Sequence, residues 1–121
     1  MGTNSTFLVI TGDERTFHFT SGMIDQSESL PTIVQATQSL KLSGSTARCM
    51  ELVVQWLGYH IRDTPEEKKS RATNFREIPI WDVRFLAQRD AATLNGINKI
   101  AYDLQIGRLK SYYDMLVKEL S

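Results

Sequence analysis

Two consecutive helical stripes of apolar residues in the last third of the chain constrain its fold most. The first stripe repeats at spacings of three, four and three residues, and the second begins after Gly107. Such spacings line one face of an α-helix, and Asp90 is the expected N-cap of the first helix. Two helices joined by a short turn should pack antiparallel or steeply crossed. The stripes consist of Leu94, Ile97, Ala101 and Leu104, and then of Leu109, Tyr112, Tyr113, Leu116 and Leu120.

The first half of the chain combines short strands with one long helix. Phe7–Ile10 and Thr16–Thr20 predict two strands joined by a turn, and Leu40–Leu42 predicts a third. Two short helices are expected between the second and third strands. Thr46–Arg62 carries a continuous apolar stripe, with Trp56 off it, so this helix should contact the core on a broad front. Strands followed by helices favour the α+β class over a βαβ sandwich.

Length and composition exclude several classes of protein. A chain of 121 residues is expected to form a single domain spanning 1–121. The net charge is zero, which removes the bulk attraction to nucleic acid or acidic membranes. No apolar run approaches the roughly 20 residues that cross a bilayer. Cys49 is the only cysteine and lies in an apolar stripe, which indicates a buried thiol and a reducing compartment, the cytoplasm or nucleus.

The segment 63–77 is rich in charge and almost free of apolar residues. Such a segment buries too little surface to offset its ordering entropy, so we expect a mobile, solvated loop.

No constellation of residues predicts catalysis, a metal or a cofactor. The paired carboxylates Glu66 and Glu67 lie in the expected loop, where nothing would hold them in a catalytic geometry. His18 and His60 lack neighbouring ligands at metal-binding spacings, so we expect them to be surface or packing residues. The sequence therefore favours binding over chemistry.

Several motifs, taken in order, resemble one family of adaptor proteins. Ile78–Asp82 reads isoleucine-proline-isoleucine-tryptophan-aspartate, and Phe85-Leu86 and Ala101–Ile106 follow it. Upstream, Val53–Trp56 with a trailing histidine and Gln26-Ser27 also match. Over about residues 7–120, the chain resembles the S-phase-kinase-associated (Skp-like) adaptors, which link F-box proteins to a cullin in SCF ubiquitin ligases.

The resemblance implies a fold, two partners and two surfaces. The fold would be of the BTB/POZ type, with a small three-stranded sheet and helices packed on it. Tyr102 matches a tyrosine that the family uses to bind the cullin N-terminal domain. The F-box protein, or a second copy in a homodimer, would contact the last helices. That surface would comprise Ile97, Leu104, Ile106, Leu109, Tyr112 and Leu116.

Three departures from the family pattern leave alternatives open. Ala101 replaces an asparagine before the tyrosine, and Lys110 and Ser111 make the last helix more polar. The family continues past the position of Ser121 with helices that clasp the F-box, so we expect that extension to be absent. Elongin C is a short relative without that extension. A structural or self-associating module without ligase function is the other alternative.

Overall fold

The strands and helices follow the order expected from the sequence. The computed structural model describes residues 7–120. Its elements are β1 Phe7–Thr11, β2 Thr16–Phe19, α1 Ser21–Ile24, α2 Leu30–Ala36, β3 Ser39–Leu42, α3 Ala47–Tyr59, α4 Pro65–Lys68, a 3₁₀ helix Phe75–Glu77, α5 Ile80–Ala87, α6 Ala91–Asp103 and α7 Gly107–Leu120. The α+β class is confirmed, as are the third strand and the two short helices before it.

The sheet is built around β1, in the order β2-β1-β3. β1 is antiparallel to β2, with Val9 opposite Phe17, and parallel to β3, with Val9 opposite Leu40. Phe7 and Val9 are buried and alternate with half-buried residues, because successive side chains of a strand point to opposite faces. The parallel pairing requires a crossover, which α1 and α2 supply.

α3 and α6 approach each other closely in the helical layer. α3 packs against α6, and α6 packs against α7. A Cβ atom added at Gly96 would lie 2.3 Å from Cys49 Sγ, so glycine is what permits this approach. Cys49 is a buried free thiol, as predicted. Asp90 caps α6 as predicted, and its side chain accepts a hydrogen bond from Thr93 N at 2.8 Å.

The connection between α1 and α2 is hydrogen-bonded to the carboxyl-terminal ends of α3 and α6. Gln26 Nε2 donates to the Leu57 carbonyl at 2.8 Å, and Ser27 Oγ donates to the Leu104 carbonyl. Glu28 N donates to Gln105 O at 2.9 Å. Terminal carbonyls of a helix lack intrahelical partners, so the bonds to Leu57 and Leu104, which are fully buried, satisfy acceptors that would otherwise be unpaired. We call residues 26–28 the α1–α2 clasp.

The segment 63–77 is mostly exposed to solvent, as predicted, and hydrogen bonds join it to α7. Thr64 and Glu67 form a reciprocal capping box at the start of α4. Arg108 Nη1 donates to Glu67 O at 2.8 Å, and Ala72 N donates to Ser111 Oγ at 3.0 Å. α7 thus supplies polar anchors that replace the missing apolar contacts. The mobility of this segment stays a prediction.

Candidate protein-protein interface

Tyr102 projects from the outer face of α6. The inner face of this helix is formed by Ile97, Ile100 and Ala101, which have no exposed surface. Tyr102 lies on the other side and is 68% exposed. A large aromatic side chain left in solvent is a candidate binding anchor, because tyrosine is enriched among the residues that dominate interface energies.

A groove of about 440 Å³ lies beside Tyr102. Two ion pairs border it, one between Arg71 and Glu28 and one between Lys110 Nζ and Asp114 Oδ1, at 2.8 Å. Tyr102 is the one large hydrophobic side chain exposed among the described lining residues. Four of the five charged lining residues pair with each other and only Asp103 forms no ion pair with a described residue, so a partner would gain its contact energy here mainly by burying the tyrosine ring.

The six residues expected to form the F-box or dimer surface lie in the core instead. Each is no more than 4% exposed, and together they join α6 to α7. A side chain without exposed surface does not contact a second protein, so the expectation that these residues form an open face is corrected. Their helical spacing identified them as an apolar face, and the packing of α6 and α7 within this chain buries that face. They are Ile97, Leu104, Ile106, Leu109, Tyr112 and Leu116.

The departures from the family pattern have structural explanations. Ala101 lines the groove but has no exposed surface, so its side chain offers a partner no contact area. Ser111 Oγ accepts from Ala72 N and donates to Arg108 O at 2.7 Å, which anchors the charged segment to α7. Ser111 and Arg108 of α7 are thus hydrogen-bonded to the backbone of the charged segment.

A buried polar network lies behind the tryptophan-aspartate motif. Trp56 Nε1 donates to Asp82 Oδ1 at 2.7 Å, and His60 Nε2 lies 2.7 Å from the same oxygen. His60 Nδ1 lies 2.6 Å from Asp63 Oδ2, which also accepts from Arg108 Nη2 at 2.8 Å. We call these five residues the Trp56–Asp82 network. It joins α3, the charged segment, α5 and α7.

Electrostatics favour an ionised carboxylate at the edge of this network. Burial alone raises the pKa of Asp63, but the hydrogen bonds from Arg108 and His60 outweigh it and hold that pKa below its ordinary value. The Arg108 guanidinium also lies 5.4 Å from the centre of the Trp56 ring, a cation-π distance. The motif residues thus act as a connected core, and only one network member, Asp63, is more than about 5% exposed at its side chain.

Sequence reasoning missed most of this network. It placed Trp56 and Asp82 in motifs but gave them no common role, and it left His60 as a surface or packing residue. One signal was available, because Trp56 and His60 are four residues apart and so share a helix face. Nothing local indicates that Asp63 and Arg108 meet, since they are far apart in the sequence.

Comparisons with known proteins add no identification. No protein-family model matches the chain, and no curated protein matches it. Within residues 7–120, no helix is long and apolar enough to span a bilayer. The same residues contain no cluster of three or more histidine, cysteine or acidic side chains placed to hold a metal ion.

Proposed function

We propose that this chain is a protein-protein adaptor of a cullin-RING (SCF) ubiquitin ligase, bridging an F-box-type substrate receptor to a cullin N-terminal domain. The proposal rests on the ordered motifs from Gln26 to Leu109 and on one structural observation. Tyr102, which matches the cullin-binding tyrosine of the Skp-like adaptors, is exposed beside a groove. The finer assignment to a BTB/POZ fold belongs to the same proposal.

The mechanism would be scaffolding. α6 presents Tyr102 outward, while its inner face packs against α7, so the two helices move as one body. A partner on α6 and another on α7 would therefore be held at a fixed separation. The receptor surface would use the outward side of α7, where Val117 is 39% and Leu120 is 71% exposed.

Binding of a purified cullin N-terminal domain, measured by calorimetry, tests this function. Tyr102→Ala should weaken binding by roughly 30-fold, because a buried tyrosine anchor commonly contributes about 2 kcal/mol. Tyr59→Ala is the matched control, since Tyr59 is 53% exposed but does not line the groove. Absence of cullin binding, or equal losses in both variants, would contradict the proposal.

A self-associating module, or an elongin C-like adaptor, is the alternative. The exposed apolar side chains at the end of α7 favour an isologous contact between two copies. Sedimentation equilibrium should then show a dimer that Leu120→Glu dissociates, whereas Tyr102→Ala leaves it intact. A monomer at all concentrations would exclude the self-associating module.

A further inference from the structure

Four flat side chains form a continuous stack outside the Tyr102 groove. The Tyr59 and Trp81 rings are parallel within 2°, with centroids 3.5 Å apart. Trp81 stacks in turn on Phe85 at 5.1 Å, and the Arg89 guanidinium lies 4.8 Å from the Phe85 ring centre. The last three residues follow one another at intervals of four, which places them along one side of α5 and its C-terminal turn. We call this stack the aromatic ladder.

The ladder borders an exposed apolar surface. Tyr59, the last residue of α3, is 53% exposed, and Ile80, the first residue of α5, is 66% exposed. Arg84 is exposed and lies one helical turn beyond Ile80 on the same face. Trp81 connects Tyr59 and Ile80, since it follows Ile80 in the chain and stacks on Tyr59.

Two carboxylates close in sequence to the arginines of this surface turn inward, whereas the exposed Glu51 and Asp90 share a cavity with Arg89. Asp63 and Asp82 belong to the buried Trp56–Asp82 network. Arg62, next to Asp63, and Arg84, two residues after Asp82, are exposed and form no ion pair with any described carboxylate. Unpaired arginines around an apolar surface are complementary to an acidic partner.

The stacking itself selects between polypeptide and nucleic acid. Single-stranded nucleic acid binds where bases stack on free aromatic faces. In the ladder, Trp81 already stacks on two rings of the protein itself, those of Tyr59 and Phe85. Phe85 is buried, so only the rings of Tyr59 and Trp81 are left partly in solvent, and the edge of an aromatic ring attracts carboxylate and carbonyl oxygens.

We infer that the aromatic ladder, with Ile80 and Arg84, binds an acidic segment of a partner protein that carries a large apolar side chain. The apolar side chain packs on Ile80 and Tyr59, and the acidic groups pair with the arginines. The inference is independent of the proposed adaptor function, since no ladder residue lines the Tyr102 groove.

Fluorescence anisotropy tests the inference, with a labelled peptide that alternates glutamate with leucine and phenylalanine as the probe. We expect saturable binding that Arg84→Glu weakens about tenfold or more and that Ile80→Ala also weakens. Arg15→Glu, which changes an exposed arginine in the β1–β2 turn, is the matched charge control. Arg15→Glu and Tyr102→Ala should both bind as the unmodified chain does.

A second readout uses the two tryptophans. Trp56 is fully buried, whereas Trp81 is partly exposed, so acrylamide should quench mainly Trp81 in the free protein. The peptide should protect Trp81 from quenching. Three results would overturn the inference: no binding of the peptide, equal losses in Arg84→Glu and Arg15→Glu, or tighter binding of oligothymidylate than of the peptide at equal ionic strength.

Discussion

Replacing Asp82 with alanine should destabilise the fold strongly. Asp82 has no exposed surface, and its Oδ1 atom is the common partner of Trp56 Nε1 and His60 Nε2. Both nitrogen atoms belong to residues with at most 4% exposure. Water therefore does not replace the carboxylate unless the network rearranges.

The magnitude of the destabilisation depends on both oxygen atoms of the Asp82 carboxylate. Removing one member of a buried charged cluster costs about 3–5 kcal/mol. Asp82 Oδ2 is buried without a hydrogen-bond partner, and removing it relieves part of that cost. We therefore expect the free energy of unfolding to fall by about 3 kcal/mol, a large share of the 5–15 kcal/mol typical of a domain. For a domain of this size the melting temperature should fall by about 10 °C.

Thermal and urea unfolding followed by circular dichroism measure this loss. Asp114→Ala is the control, because it removes an exposed carboxylate paired with Lys110 and should cost at most about 1 kcal/mol. Asp82→Asn keeps an acceptor oxygen, so its loss of stability should lie between those of Asp82→Ala and Asp114→Ala. A melting temperature for Asp82→Ala within about 2 °C of the unmodified protein would refute the reasoning.

The remaining predictions concern packing, pH and the tryptophan. Gly96→Ala should cost about 1–3 kcal/mol in urea unfolding, and adding Cys49→Ala should recover part of it by removing the sulfur that the new methyl meets. If the double variant loses as much stability as the two single variants together, the contact between the new methyl and the sulfur does not cause the Gly96→Ala loss. Asp63 ionises below its ordinary pKa in the folded state, so it stabilises the fold above about pH 4 and loses that effect as the pH falls through the folded pKa. Asp63→Asn should therefore flatten the loss of stability as the pH falls below about 4, and an unchanged slope would contradict this. Trp56→Ala should cost about 3–5 kcal/mol, and less than additively with Asp82→Ala; strict additivity would mean that the two residues are not coupled.

The sequence predicted the positions of the strands and helices better than it predicted what packs against them. The stripe and cap signals located α6 with its Asp90 cap, and alternation located the strands, because both depend on neighbours within a few residues. The same stripes could not show what covers an apolar face. Leu109 and Leu116 therefore looked available to a partner, although α7 turns them into the core.

Of the three candidate sites, the sequence pointed to one and missed two. Tyr102 was selected by resemblance alone, and its exposure follows from its position opposite the α6 stripe. The Trp56–Asp82 network and the aromatic ladder were not predicted, because each joins residues from separate segments. Tyr59 meets Trp81, for example, only once the end of α3 is placed beside α5.

The α1–α2 clasp has a consequence for how the chain folds. Ser27 bonds to a carbonyl 77 positions further along the chain, and Gln26 to one 31 positions away. Contacts of such long range are slow to form, because the intervening loop must close before they contribute. The clasp should therefore form late, after α3 and α6 have met, and unfolding of either helix end should release the amino-terminal sheet with it. Strands and helices that look separate along the chain would then gain and lose their structure in one cooperative step.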